Sequence, residues 1–450
     1  MAAAGSSKQP VERTSEFLFA AYLTAVAATP YPGSYWTLLV LSAAVLCQAA
    51  STDAPMYVSR SLIVVLGWFS ASVLWSIAPS LTARNTFLTV LITVAAAVMT
   101  RVVGARGSLR ALMSAGKALL VLSWAVYWVA PQIGRTQDVY QTGAFEGVFV
   151  QRNVAAFFCV ILVITFFVAA TDAASTGERW RHVTWALLAL GTLLSTQSGT
   201  GLAVVLVSSA TTLALIVASR AKTAGRRRFL VGGALIPPAA LALWLPFNLD
   251  VVSQLFGRDP TLTGRSVIWA IVERYVAESP WFGHGFGALW VGGVPLTDTM
   301  WVQAGFPFYH AHSAYLDHLA QVGIVGLVLV LLLLIGATGR AAHQVVGSAS
   351  VLAMWPAGVS MCLLFYAIDE QSFASQFGWV LVVMVSTMVA AEATGGSEPG
   401  TRAEPRAGEP RAASGRSSAG AIPGRRAMRA RGVRVRDRRQ PRDERIAAGR

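Results

Sequence analysis

The sequence predicts an all-α fold: a polytopic transmembrane helical bundle of about 12 spans with one large extracytoplasmic loop. Three observations predict it. Hydrophobic residues make up 54% of the 450-residue chain and charged residues 13%, against about 25% charged in a typical soluble chain. The apolar residues come in runs of roughly 16–24, long enough to cross a hydrocarbon core about 30 Å thick as helices. Lysine and arginine then alternate between successive connections, the pattern that orients membrane proteins.

In chain order, residues 1–16 are polar and read as a cytoplasmic segment without a cleavable signal peptide. Spans one to nine fall within 17–249, near 17–28, 35–50, 58–78, 86–103, 109–130, 153–171, 183–197, 201–219 and 229–248. A loop over 250–313 interrupts them. Spans ten to twelve occupy 314–392, near 314–336, 346–368 and 373–391. The tail over 393–450 is rich in Gly, Pro, Ala, Ser and Arg, cannot bury enough apolar surface to fold, and is expected to be disordered.

With both termini cytoplasmic, the inside segments hold Lys8, Arg13, Arg60, Arg101, Arg106, Arg110, Arg179, Arg181, Arg220, Lys222, Arg226 to Arg228, Arg340 and the Arg-rich tail. The outside segments hold Arg84, Arg135, Arg152, Arg258, Arg265 and Arg274. The 131–152 and 250–313 loops then lie outside.

The net charge of +14 does not indicate nucleic acid. The tail after Gly395 holds 15 arginines against six acids. Such a tail beside a membrane meets anionic lipid headgroups or enforces topology. Cys47, Cys159 and Cys362 all fall inside spans and form no disulfide pattern. Apart from Lys117, the spans are nearly free of ionisable residues, and no internal repeat is evident. A transporter or flippase, the alternative class, calls for both.

The 250–313 loop and the start of the tenth span hold four of the six histidines, His284, His310, His312 and His318. After Thr263-Gly264-Arg265, apolar residues at Val267, Ile268, Ile271, Val272, Tyr275 and Val276 have helical spacing, and Pro280 follows. This predicts a short amphipathic helix at the membrane surface with Arg265 in its first turn. Arg265 is either a planar fork for phosphate or a headgroup contact. WFGHGFGALW, residues 281–290, permits a tight bend, and no Lys-Ser/Thr follows to make it a Walker loop. In YHAHSAYLDHLAQVG, residues 309–323, Ser313 is a candidate helix cap with Asp317 on the same face. His312 is suited to accept a proton from a sugar hydroxyl. The rival readings are a metal site of His310 and His312 with His318 or Asp317, and a structural interfacial pair.

DPTLTGR, ESPWFGHGFGALW and HAHSAYLD-x-L-x-x-VGIVGL together resemble the O-antigen ligase family, with its related polymerases and exopolysaccharide-production proteins. GVFVQRNVAAFF (147–158), LLSTQSGTGLAV (193–204) and WSIAPS (75–80) are similar to further elements of that family. The resemblance covers about residues 60–390. It implies a GT-C-like membrane glycosyltransferase of the bacterial plasma membrane, inverting and metal-independent, without a cofactor. Its partners would be an undecaprenyl-diphosphate-linked glycan donor, a glycan or lipid acceptor, membrane lipids and, for a polymerase, a chain-length regulator. The catalytic residues so implied are His312 and Arg265. Arg152 and Asn153 would serve substrate binding, with His310 and Asp317 alongside. Two departures stand out. Ser313 replaces the usual Asn after the histidine, and the serine hairpin at Gln197-Ser198-Gly199 lacks the arginine common in relatives.

Overall fold

The computed structural model describes residues 8–28, 34–52, 58–137, 142–244, 265–348 and 352–393. Among these the regular structure is helical, joined by turns and irregular loops, with one isolated bridge between Arg135 and Phe145. Outside the described residues lie Arg258, Thr263, Gly264 and the rest of the 250–264 stretch, together with the tail after residue 393 and its expected disorder.

The helices are α1 (Lys8–Ala28), α2 (Ser34–Ala50), α3 (Arg60–Ala71), α4 (Pro79–Val129), α5 (Arg152–Asp172), α6 (Thr176–Ser195), α7 (Gly199–Ser219), α8 (Ala224–Trp244), α9 (Arg265–Glu278), α10 (Pro295–Ala304), α11 (Ala314–Ser348), α12 (Met354–Tyr366) and α13 (Gln376–Ala393). Each apolar segment expected from the sequence contains helix among its described residues. The fourth and fifth share α4, which breaks at Gly104, where φ is 67°. Glycine adopts that left-handed backbone without a Cβ penalty. Among the described residues, four helices are long and apolar enough to cross a membrane each: α4, α5, α7 and α11. The other apolar helices, α2, α3, α12 and α13, are shorter, so the count of twelve crossings stays an expectation of the sequence.

The core is built around α5, α12 and α13, whose residues are buried on nearly every side. An all-round apolar helix belongs inside a bundle. Its few polar atoms are paired. Trp355 donates its indole N–H to Thr165 Oγ1 at 2.9 Å, and Trp379 donates to Thr93 Oγ1 at 2.8 Å. Where water is absent, an unpaired donor costs several kcal/mol, so these pairs also fix the mutual rotation of the helices.

The amphipathic helix forms as α9, but it does not spend its apolar stripe on the membrane surface. Ile268, Ile271, Val272 and Tyr275 pack with Leu289, Met300, Phe308, Ala311 and Ala320 into a second, smaller core. α10, inside the Gly- and Pro-punctuated stretch, closes over it with Met300 buried. The sequence pattern shows an apolar face without saying what covers it, and here the loop covers it with its own residues. This makes α9 a rigid platform.

The glycine-rich turn acts as a clamp. Gly285 and Gly287 sit at φ 107° and 66° against Ser76 and Asn85, and Asn85 donates to the Gly287 carbonyl at 2.8 Å. On its other side, Gly287 N–H donates to Gln321 Oε1 at 2.7 Å and Gly285 N–H to the Gln321 carbonyl at 2.8 Å. The clamp therefore ties the start of α4 to the first turns of α11. α11 breaks at Gly323, where a Cβ would fall 2.2 Å from the Trp281 carbonyl oxygen.

Candidate active site

Four connections meet at one place: the start of α5, the turn into α7, the start of α9 with the turn into α11, and the link from α12 to α13. The link supplies Asp369 and Glu370, three and four residues past the end of α12. Ser313 Oγ donates to the Ala367 carbonyl at 3.2 Å, and Ala314 N–H donates to the carbonyls of Ala367 and Glu370 at 2.9 and 3.0 Å. The N-terminus of α11, which has donors to spare, is thus docked onto the acidic turn. Ser313 also accepts from Leu316 N–H at 3.4 Å, so it does act as the helix cap.

Arg265 enters this cluster from the first position of α9. One terminal nitrogen donates to Asp369 Oδ2 at 2.8 Å and the other to Glu370 Oε1, with the side chain only 13% exposed. Asp369 Oδ2 also accepts from Thr200 Oγ1 at 2.6 Å. Glu370 Oε1 also accepts from Asn153 Nδ2 at 2.5 Å, and the Asn153 carbonyl is held by the Tyr366 hydroxyl at 2.8 Å. Burial opposes the charge on Arg265, but the carboxylates of Glu370 and Asp369 outweigh it and hold the guanidinium protonated above its usual range. Burial raises the pKa of both acids, while Arg265 pulls each one down.

His312 stands on the opposite side of Glu370. Its Nδ1 lies 3.9 Å from Glu370 Oε2, too far for a hydrogen bond, and is buried without a partner. Its backbone is left-handed, at φ 51°, and its N–H donates to His310 Nδ1 at 3.2 Å. That bond leaves His310 Nδ1 unprotonated. The two imidazole rings are 4.0 Å apart. Burial and then Arg265 lower the pKa of His312 to about 3. Burial, then His312 and Arg265, lower that of His310 well below the usual value. Both rings are therefore neutral at neutral pH.

Of the residues singled out from sequence, Arg265, His312, His310 and Asn153 come together around Glu370. Arg152 lies close enough to influence Glu370, and it donates to the Gln197 carbonyl at 3.0 Å. It thus reaches into the serine hairpin that lacks its own arginine. Asp317 stands apart. It accepts from Ala311 N–H at 3.1 Å and from Gln321 at 3.2 Å, which fixes the backbone just before His312. His318 packs against Phe69 and Phe373, with ring centroids 6.1 and 5.1 Å away, instead of turning toward His310. Among the described residues, no group of three His, Cys, Asp or Glu is arranged to hold a metal. His284 bonds the Ala320 carbonyl through Nδ1 at 3.0 Å and belongs to the glycine clamp. Trp301 and Trp290 serve the loop core: the Trp301 indole N–H donates to the Phe308 carbonyl at 2.6 Å, and Trp290 packs on Phe308.

Asp369, Glu370, Thr200 and Tyr366 are not singled out by sequence reasoning. One signal was available: Asp369 and Glu370 are the only acids between Asp317 and Glu392, and they are adjacent between two apolar runs. An isolated acid pair at a span boundary has a specific partner more often than a solvated face does.

Residues 184–331 match the family model described as O-antigen ligase. That range includes Arg265, His310, His312 and Asp317. The chain is also 28% identical over 281 residues to the exopolysaccharide production protein ExoQ of Rhizobium meliloti, covering 59% of this chain and 61% of that protein. It therefore spans somewhat less than two thirds of the relative's length. The two matches bear out the motif-level resemblance to the O-antigen ligase and polymerase family, with a membrane setting and a link to exopolysaccharide production.

Proposed function

We propose that the protein is an integral membrane glycosyltransferase of cell-surface polysaccharide synthesis. It takes a glycan from an undecaprenyl-diphosphate carrier and passes it to an acceptor hydroxyl on the extracytoplasmic face. One observation carries this reading: a buried arginine and a neutral imidazole, 47 residues apart (265 and 312), face the same carboxyl group. Positive-inside alternation puts all four contributing connections on the outer side, in keeping with an external active site.

In this mechanism the carrier diphosphate lies against Arg265, with Arg152 balancing the second charge. A guanidinium offers five donors in a plane that fits phosphate oxygens. Charge grows on the bridging oxygen as the anomeric carbon–oxygen bond breaks, and donors aimed at that oxygen stabilise the transition state. The acceptor hydroxyl attacks the anomeric carbon while His312 takes its proton, and one displacement inverts that centre. His310 and Asp317 hold the His312 turn. No metal takes part in this mechanism.

The test is transfer in vitro from a carrier-linked repeat of defined structure, read by product length. Chains of joined repeats indicate a polymerase, and one glycan on a different acceptor indicates a ligase. A protein that bound the donor and released it unchanged on the other side of a vesicle would instead be a transporter.

A further inference from the structure

The geometry leaves Nδ1 of the proposed base, His312, without a partner, and the carboxylate that could serve it is engaged elsewhere. Glu370 Oε1 holds Arg265 and Asn153, while Oε2 faces the unpartnered Nδ1 of His312 at 3.9 Å. Among the described residues Oε2 carries no hydrogen bond of its own. A charged donor group arriving at Arg265 competes for the same guanidinium nitrogens that now bind the acid pair.

We propose that Glu370 is a positioning residue that changes partners: when a lipid diphosphate takes over Arg265, the freed carboxylate closes on His312 Nδ1–H and leaves Nε2 as the proton acceptor. This rests on the donor reading above. At rest, Arg265 and Arg152 balance Asp369 and Glu370. A bound diphosphate diester brings two negative charges into this poorly solvated place. Repulsion drives Glu370 away from the phosphates, and its free oxygen already faces His312 Nδ1 at 3.9 Å. The other neighbours are Asp369, Asn153, Tyr366 and Arg152, whose charge also acts on Glu370 and which the second phosphate engages once the donor is bound, with Thr200 on Asp369 and His310 behind His312 one residue further. As His312 takes the acceptor proton at Nε2, its new positive charge is met by Glu370 across the Nδ1–H bond. The proton stays on the imidazole and the electron pair of the broken bond leaves with the diphosphate, so atoms and charge balance. Burial and Arg265 alone leave His312 a weak base, and a carboxylate neighbour strengthens it. The base is thereby switched on only when the donor is present.

The experiment compares wild-type protein with Glu370→Gln and Glu370→Asp in steady-state transfer from a carrier-linked repeat across pH. A residue that only neutralised Arg265 would alter donor KM. A residue that orients the base alters kcat. We expect Glu370→Gln to lower kcat by roughly 100-fold or more, within the range for loss of acid–base catalysis, with donor KM unchanged or lower. Its acid limb of kcat should move to lower pH, because the imidazole loses the carboxylate that raises its pKa. Glu370→Asp should recover part of kcat, and it carries the test alone if the Gln variant fails to melt cooperatively. The double variant with His312→Ala should be no slower than His312→Ala alone, as for two groups acting as a unit. A Glu370→Gln protein with wild-type kcat, or with a raised KM and an unmoved acid limb, overturns the partner exchange while leaving the donor reading intact. Absence of any transfer by wild type with defined donors fails the donor reading itself.

Discussion

The two ends of α5 carry opposite kinds of ion pair. At its C-terminal end, Arg106 meets Asp172 at 3.3 Å with side chains 49% and 31% exposed, and nearby Arg110 pairs with Glu16. At its N-terminal end, the Arg265–Asp369–Glu370 cluster is enclosed, with Glu370 6% exposed. Exposed pairs of the first kind contribute roughly 0–1 kcal/mol. Enclosed ones seldom stabilise relative to an apolar replacement, yet breaking one costs about 3–5 kcal/mol because a charge is stranded. The difference marks the enclosed end as the place for the proposed function. The exposed end can lose its charges cheaply, whereas the enclosed end retains an arrangement that packing alone does not require.

Substitutions can break this contrast. The largest effect on rate is expected for His312→Ala, a loss of roughly 100- to 10,000-fold in transfer with little change in thermal melting. Near-normal transfer would remove His312 as the base. Arg265→Ala should lower transfer by roughly 100- to 1000-fold and also destabilise the fold, because Asp369 and Glu370 lose their cation. Arg265→Lys separates the two effects: it keeps the charge and most of the melting temperature but lacks the fork, so transfer stays low. Thr200→Val removes one hydrogen bond to Asp369 and should cost about 1–3 kcal/mol in stability, measured by denaturation in detergent. At the other end, Arg106→Ala should leave transfer unchanged and stability within about 1 kcal/mol. An effect as large as that of Arg265→Ala would erase the distinction between the ends.

The pH dependence sharpens the same comparison. The folded-state pKa of His312 is about 3 against an ordinary 6.5, so the unfolded chain binds a proton there before the folded one does. Stability from this group is complete above about 6.5 and declines as pH falls toward about 3. Asp369 and Glu370, whose pKa values are raised, act in the opposite sense and lose stability as pH rises through their titration. The difference in melting temperature between wild type and His312→Gln isolates the histidine. The gap should move against wild type as pH drops through that interval, and a pH-independent gap would contradict an enclosed neutral imidazole.

Much of this was legible in the chain. Runs of apolar residues determined the helices, because a segment without water must satisfy its own backbone. Helical spacing after Arg265 predicted α9, and the histidines before the tenth span marked the start of α11 together with its Ser313 cap. Three matters were decided only by tertiary structure. The stripe of α9 faces a private core instead of the membrane surface, since amphipathic spacing does not name the covering surface. α10 lay hidden in a stretch whose glycines and prolines read as loop. The acids Asp369 and Glu370 lie more than 100 residues beyond Arg265, and no local pattern links them. Convergence of distant charges depends on how helices stack end to end, which is a property of the packed bundle; sequence supplies the charges, and packing alone decides which of them meet.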